Sequence, residues 1–386
     1  MEFRSLKKQY AANKEQIDAA IAKVINDANF ISGYQVTELE EKLADYVGVK
    51  HCITCANGTD ALSLALMAWE IGEGDAVFVP DFTFFSSGEV VSFAGATPVF
   101  VDVEYDTCNI APDKLEIAIK SVLEDGILKP KVIVAVDLFG QPADYPRIRA
   151  IADKYNLLIL EDGAQGFGGA IGEKKACSFG DISTTSFFPM KPLGCYGDGG
   201  AVFTDKDDWA TLIRSYCVHG KGMMKYDNIR IGINSRLDTL QAAVLNAKFD
   251  CFVNEELDRI NKIAENYSLK FGLYRDMPLS GPIIKNGYYS SWAQYTVKLI
   301  SHELREKLQI VLKENDIPSF VYYPKPMHEQ KAFVDIDQVK LRQNYSVTCK
   351  LCDTVLSLPI SPYMTNDECA KVVDIIYGLL EKHKIN

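Results

Sequence analysis

Residues 131–162 read KVIVAVDLFGQPADYPRIRAIADKYNLLILED. A β-branched run, KVIVAVDL (131–138), gives way to the helical pattern PRIRAIADKY (146–155) and then to a second apolar run, NLLILED (156–162). Strand, helix and strand over so short a stretch form a βαβ unit, whose right-handed crossover makes the two strands parallel. Upstream the pattern repeats, with AVFVP (76–80), TPVFVD (97–102) and the helical APDKLEIAIKSVL (111–123). Downstream, STTSFF (183–188) and GGAVFTD (199–205) flank a glycine-rich loop and predict a hairpin-like pair added to the sheet. Toward the N-terminus, Ile17, Ile21, Val24 and Ala28 recur at helical spacing after an Asn13 cap. Thr37 and Glu40 predict a capping box opening a second helix that buries Leu39, Leu43 and Val47. Past about residue 250 come a long polar helix, AQYTVKL (293–299), HELREKLQIVLKEN (302–315), SFVYYP (319–324), VLSLP (355–359) and a last helix opened by Thr365 and Glu368. The expectation is an α/β protein with a mainly parallel sheet in a large domain over 1–250 and a smaller α+β domain over 251–386.

Composition narrows the function classes. The 386 residues carry 41 Lys and Arg against 52 Asp and Glu, a formal charge of −11. An acidic surface argues against broad binding of nucleic acid or anionic membrane, both of which need a concentrated basic face. A single helix start with one lysine can still hold a phosphate. No run approaches the roughly 20 apolar residues of a membrane span, and the opening MEFRSLKKQYAANKEQ has no signal-like apolar core. A cytoplasmic location is expected. Of ten cysteines, Cys52 with Cys55 and Cys349 with Cys352 form two CxxC pairs, but they lie too far apart for a zinc ribbon. An odd offset along a strand also turns Cys52 and Cys55 to opposite faces. Reduced core thiols and no metal site are expected.

In open parallel sheets ligands bind at the carboxyl ends of the strands, and four segments there carry chemistry. Asn57-Gly58-Thr59-Asp60 is a turn running into the apolar helix ALSLALMAW, whose first amides and positive dipole end suit an anion. Such turns are common and mean little alone. Leu160-Glu161-Asp162-Gly163-Ala164-Gln165 ends an apolar strand in two acids, one of which can hold a protonated ring nitrogen, a ribose or a metal ion, or simply cap a helix. Ser186-Phe187-Phe188-Pro189-Met190-Lys191 places a lysine among apolar neighbours, where desolvation leaves more of the amine neutral and nucleophilic. Phe82-Thr83-Phe84-Phe85 puts aromatics at a strand end, able to stack on a flat ring or to pack the core. Taken together, a lysine, a carboxylate, an aromatic face and phosphate donors match the needs of pyridoxal 5′-phosphate.

The blocks SFFPMKPLGCYGDGGAVFTD (186–205) and GINSRLDTLQAAVL (232–245), the opening FxSLKKQY and the later YYPxPxHxQ extend the pattern over nearly the whole chain. In these the sequence resembles the DegT/DnrJ/EryC1/StrS sugar aminotransferases, of the fold-type-I pyridoxal-phosphate enzymes. The resemblance implies a three-layer large domain and a homodimer with shared active sites. It makes Lys191 the lysine that binds the cofactor's aldehyde and Asp162 the partner of the ring nitrogen. It puts Gln165 by the phenolic oxygen, Phe84 on the ring face, and Gly58, Thr59 and Ser186 on the phosphate. Asn234 would reach the phosphate of the neighbouring subunit's cofactor, and Arg236, Tyr322 and His328 match the substrate end. Relatives with histidine at the lysine position deoxygenate sugars instead, and Lys191 excludes that branch. Gly163, Pro192 and Asp137 depart from the commoner Ala, Asn and His or Ser.

The implied reaction moves an amino group, from L-glutamate, to a nucleotide-linked ketosugar on UDP or dTDP, yielding an aminosugar for surface polysaccharide or glycoconjugate synthesis. The motifs best match amination at C-3, with C-4 as the alternative. Val321-Tyr322-Tyr323-Pro324 stands where uronate enzymes carry His-Tyr-Pro, so a 6-deoxy sugar and a uronate both remain open. Two other classes would use parts of the same pattern. A pyridoxal-phosphate lyase or aldolase would need the same lysine and acid, and a non-catalytic nucleotide-sugar-binding protein would need neither.

Overall fold

The computed structural model of the chain describes residues 1–224, 226–273, 278–333 and 344–384. Seven strands form the central sheet: β1 (His51–Cys55), β2 (Asp75–Pro80), β3 (Thr97–Val101), β4 (Lys129–Val136), β5 (Leu158–Asp162), β6 (Ile182–Ser186) and β7 (Gly200–Thr204). Their order is β1-β7-β6-β5-β4-β2-β3. From β3 across to β6 every pairing is parallel, and β7 alone runs against its neighbours β6 and β1. STTSFF and GGAVFTD thus pair as expected, with Ser186 opposite Gly200.

Period-two alternation explains the layers. Val77, Val79, Val132, Val134, Leu160 and Val202 face one side, against Leu62, Leu64 and Ala65 of helix Gly58–Ala68. Their chain neighbours Ala76, Phe78, Ile133, Ala135 and Ile159 face the other, against Leu115, Ile119 and Val122 of helix Pro112–Asp125 and Ile148 of helix Tyr145–Tyr155. A sheet covered on both faces accounts for the near-continuous apolar runs in the sequence. Cys52 and Cys55 fall in different apolar clusters, on the two faces of β1.

A second core gathers Ile260, Tyr267, Tyr295, Val297, Leu308, Leu356, Val372 and Ile376 around a small antiparallel sheet of Leu279–Ser280, Tyr295–Leu299 and Val355–Leu358. Residue 250 itself lies in a continuous helical path, Thr239–Cys251, Phe252–Glu256 and Leu257–Gly272. Not all of the later chain joins the second core, because Met327, Phe333, Leu351 and Cys352 pack into the core of the large sheet.

Three local expectations fail for identifiable reasons. Thr37 is interior to helix Tyr34–Val47, which Gly33 opens. Glu40 is drawn away to accept from Thr54 N and Oγ1 (2.8 and 2.9 Å) and to pair with Arg214. Asn13 separates helices Leu6–Ala12 and Lys14–Asp27, but its Nδ2 donates back to Gln9 O (3.0 Å) and does not cap. SFVYYP forms no strand, only a bridge between Phe320 and Ser357. Its rings are taken up in an aromatic cluster in which Phe3 meets Phe320 edge-on at 4.8 Å. The box of Thr365 and Glu368 is made, with reciprocal bonds of 2.8 and 3.1 Å.

Gly200 begins β7 against the start of helix Gly58–Ala68, where an added Cβ would lie 2.4 Å from Asn57 O and 2.9 Å from Gly58 N. Backbone cannot step aside as a side-chain tip can. Gly200→Ala is expected to cost about 1–3 kcal/mol in urea unfolding. An unchanged midpoint would mean the contact is slack.

Candidate active site

Because the strands are parallel, the exits of β2, β4, β5 and β6 lie along one edge of the sheet. β5 ends in Asp162, and β6 ends in Ser186. The loop from Ser186 to Gly200 carries Lys191 and is closed by Cys195 N to Phe187 O (2.8 Å) and Phe187 N to Gly199 O (2.7 Å). Two buried cations fasten its far side. Arg4 Nη2 donates to Pro192 O (3.4 Å), and Lys248 Nζ donates to Gly194 O.

Desolvation pushes the Lys191 ammonium below its ordinary pKa, and the charge of Asp162 only partly opposes it. Asp162 is buried and held at both oxygens. Its Oδ2 accepts from Ser87 Oγ (2.8 Å) and its Oδ1 from Ala164 N (3.2 Å). Ser87 in turn meets Thr83 Oγ1 at 3.1 Å. The sequence reading missed Ser87. Its signal was the i, i+4 spacing from Thr83 in a segment already suspected for its aromatics.

The neighbouring acid has another task. Glu161 points to the opposite face and accepts from Cys177 N, Phe179 N, Gly180 N and Ser183 Oγ at 2.5–3.1 Å. It anchors the chain before β6. Gln165 is equally committed. Its Oε1 accepts from Phe139 N (2.8 Å) and its Nε2 donates to Tyr323 Oη (3.1 Å). Tyr323 packs between Phe82 and Phe84, at centroid distances of 6.0 and 6.2 Å. The Phe84 ring is exposed.

An anion cradle opens helix Gly58–Ala68. Asn57 Oδ1 accepts from Asp60 N (2.8 Å), and the first intrahelical bond runs from Ala61 N to Asn57 O (3.1 Å). The Gly58 and Thr59 amides precede that bond and point out of the helix start. Ser186 closes one wall so tightly that a Cβ on Gly58 would lie 2.7 Å from Ser186 Cβ.

The remaining candidates lie farther out. Ser235 accepts from Ala56 N (3.0 Å) and donates to Asp60 Oδ2 (2.6 Å), drawing its segment onto the same helix start and leaving Asn234 exposed beside it. Arg236 lines a cleft of about 1000 Å³ with His219, Lys221, Asn228 and Arg230. Tyr322 is half-buried beside Phe320 and Tyr323. His328 donates its backbone N–H to Asp81 Oδ1 (2.9 Å), sets Nδ1 against Asp81 Oδ2 (2.7 Å), and stacks on Tyr345 at 4.2 Å. Burial works to lower its pKa, but the Asp81 bond and charge reverse that and raise it.

A desolvated amine, a held carboxylate, an exposed aromatic and an amide-lined helix start with glycine at its floor suit pyridoxal phosphate in charge and in the kinds of group it needs. The sequence pattern of the DegT/DnrJ/EryC1/StrS aminotransferase family matches residues 11–377. The chain belongs to that family. It is 44% identical over 364 residues to the UDP-2-acetamido-2-deoxy-3-oxo-D-glucuronate aminotransferase of Pseudomonas aeruginosa, covering 94% of this chain and 96% of that one. It is 37% identical over 371 residues to the UDP-N-acetyl-3-dehydro-alpha-D-glucosamine 3-aminotransferase of Acidithiobacillus ferrooxidans, covering 96% and 95%. The crystal structure of a DegT DnrJ EryC1 StrS aminotransferase from Brucella abortus superposes with a TM-score of 0.94 at 44% identity, over 98% of this chain and 99% of that one. The fold is that of the fold-type-I aminotransferases, and the chain is a pyridoxal-phosphate-dependent sugar aminotransferase.

Lys248 offers a test of how dry the lysine loop is. Burial holds its pKa down to about 8, against an ordinary 10.5. Between those values the unfolded chain binds a proton that the folded chain does not, so stability rises with pH. From pH 8 to 10.5 the protein should gain on the order of 2–3 kcal/mol relative to Lys248→Met in urea unfolding. A constant difference between the two would place the amine in water.

Proposed function

We propose that this enzyme transfers an amino group from L-glutamate to C-3 of a UDP-linked ketosugar, as a cytoplasmic homodimer with shared active sites. The observation that carries the reading is the desolvated Lys191 amine within the field of a buried, doubly bonded Asp162. Both relatives named above act, by name, on UDP-linked sugars oxidised at position 3, which favours C-3 over C-4.

Pyridoxal phosphate, when bound, supplies an electron sink for the carbanion left when a proton departs from the carbon bearing the amine. Lys191 Nζ would hold its aldehyde, and the same amine is the group that would take the proton from the donor's α-carbon and, in the return half, deliver one to C-3 of the sugar. Asp162 keeps the ring nitrogen protonated, and Ser87 and the Ala164 amide keep Asp162 aimed. Gly58 and Thr59 amides and Ser186 hold the phosphate, Phe84 covers one ring face, and Gln165 meets the phenolic oxygen. Across a cycle, glutamate and a 3-ketosugar become 2-oxoglutarate and a 3-aminosugar. The product class suits surface polysaccharide or glycoconjugate synthesis.

In an acidic protein the cleft lined by Lys221, Arg230 and Arg236 concentrates positive charge, as a sugar diphosphate requires. Arg236 and Tyr322 are assigned to that substrate end. On the same segment Met223, Met224, Tyr226, Ile229 and Ile231 are exposed, Ile231 at 90%. A second protomer covering this face would bring Asn234 to its neighbour's phosphate.

Lys191→Ala should reduce conversion of glutamate and a UDP-3-ketosugar by more than about a thousandfold. Full turnover in that variant, or a preference for 4-ketosugars in a panel read by mass spectrometry and NMR, would overturn the assignment. Ile231→Asp should shift sedimentation from dimer to monomer and weaken cofactor retention together. A monomeric variant that holds its cofactor normally would refute the shared site.

A further inference from the structure

At the ends of β2 and β3, around His328 of the expected substrate end, three metal-ligating side chains of different chemistry meet. His328, Glu329 and Cys349 each offer one donor atom, and the three atoms lie within 4.8 Å of one another. His328 Nε2 and Glu329 Oε1 are 3.9 Å apart. Coordination of zinc at about 2.0–2.3 Å with tetrahedral angles needs donor separations of roughly 3.3–3.8 Å, a contraction within reach of side-chain rotation.

The ligands are prearranged by the fold. Asp81, directly after β2, holds His328 through both its backbone N–H and Nδ1. That leaves Nε2 as the imidazole's free donor. A carboxylate on the far nitrogen of a histidine is the usual way in which a metal-binding imidazole is oriented and made more basic. Asp102, directly after β3, performs the matching service for the thiol's helix. It accepts from Val347 N (3.2 Å) and from Thr348 N and Oγ1 (2.8 Å each), fixing the first turn of helix Ser346–Thr354, on which Cys349 lies. Tyr345, which stacks on His328, accepts from Cys349 N at its carbonyl (2.9 Å). Two buried acids at adjacent strand ends thus set the imidazole and the thiol side by side, and Glu329 supplies an accessible carboxylate.

We propose that His328 Nε2, Cys349 Sγ and the Glu329 carboxylate form a site for one divalent zinc-class cation, with its fourth position open to water. A nitrogen, a sulfur and an oxygen donor select zinc over the hard cations magnesium and calcium, which take oxygen alone. Binding displaces the thiol proton to solvent and leaves the metal as a thiolate complex, with no change of oxidation state. The readout below is metal binding at the thiol and not turnover, so its failure is distinguishable from failure of the transamination reading.

Cysteine alkylation reads it out. Cys349 and Cys251 are the two thiols that are not buried, so Cys251 is an internal control in the same holoenzyme. Iodoacetamide labelling, followed by peptide mass spectrometry, should show micromolar zinc chloride slowing Cys349 at least about tenfold, with Cys251 unchanged. Magnesium chloride should protect neither. In Glu329→Gln, a substitution at an exposed side chain, the zinc concentration for half-protection should rise about tenfold. Equal slowing of both thiols, protection by magnesium, no protection of Cys349, or an unaltered zinc requirement in Glu329→Gln would each overturn the proposal.

Discussion

Two opposed electrostatic effects meet at Lys191. Taking an ammonium out of water disfavours its charge, and a nearby carboxylate favours it. Here desolvation prevails. Both carboxylate oxygens of Asp162 are bound, one by Ser87 and one by the Ala164 amide. The acid is thereby held in one position while burial lowers the pKa of the amine. Much of the nearby structure reads as support for that position: Thr83 behind Ser87, and Glu161 tied off on the opposite face by four donors.

The lysine loop must also be kept from wandering, and the chain uses buried cations for this. Arg4 and Lys248 donate to loop carbonyls, and burial lowers both pKa values, to about 10 and about 8. Burying a cation costs stability unless an opposite charge is close. Glu256 provides it, and is itself held by Gln9 Nε2 (3.1 Å to each oxygen) and Tyr363 Oη (2.6 Å). The opening segment, the π-helical turn at Phe252–Glu256 and the loop near residue 363 are therefore linked to the lysine loop, which the opening segment meets directly at Pro192 O. A truncation at the N-terminus would act on Lys191 through Arg4 and Gln9.

What the sequence made legible follows from which interactions are local. The sheet could be read because each strand is buried on both faces and each crossover is one helix, so the pattern repeats along the chain. Lys191, Asp162 and the Gly58 turn could be read because each lies at the end of such a strand or the start of such a helix. The long-range bonds were not legible. Nothing near Glu40 announces that Thr54 and Arg214 will claim it and cancel the expected cap, and SFVYYP carries the composition of a strand although its aromatic rings go to Phe3 and to Gln165. Asp81 is the sharpest case. It precedes an aromatic motif and drew no notice, yet it fixes His328 from a distance of 247 positions in the chain.

The same contrast explains how one catalytic floor can serve relatives that aminate different sugars. Gln165 is held by Phe139 N and Tyr323, and Asp162 by Ser87 and the Ala164 amide, so each has a fixed place in the fold. The segment 218–236 is joined to that floor chiefly through Ser235, and 319–330 through Tyr323 and Asp81. A chain at −11 repels an anionic sugar nucleotide at long range, and salt screens that repulsion beyond about 8–10 Å. An anion that binds such a chain must then be held by short-range contacts, and Lys221, Arg230 and Arg236 line one cleft able to offer them.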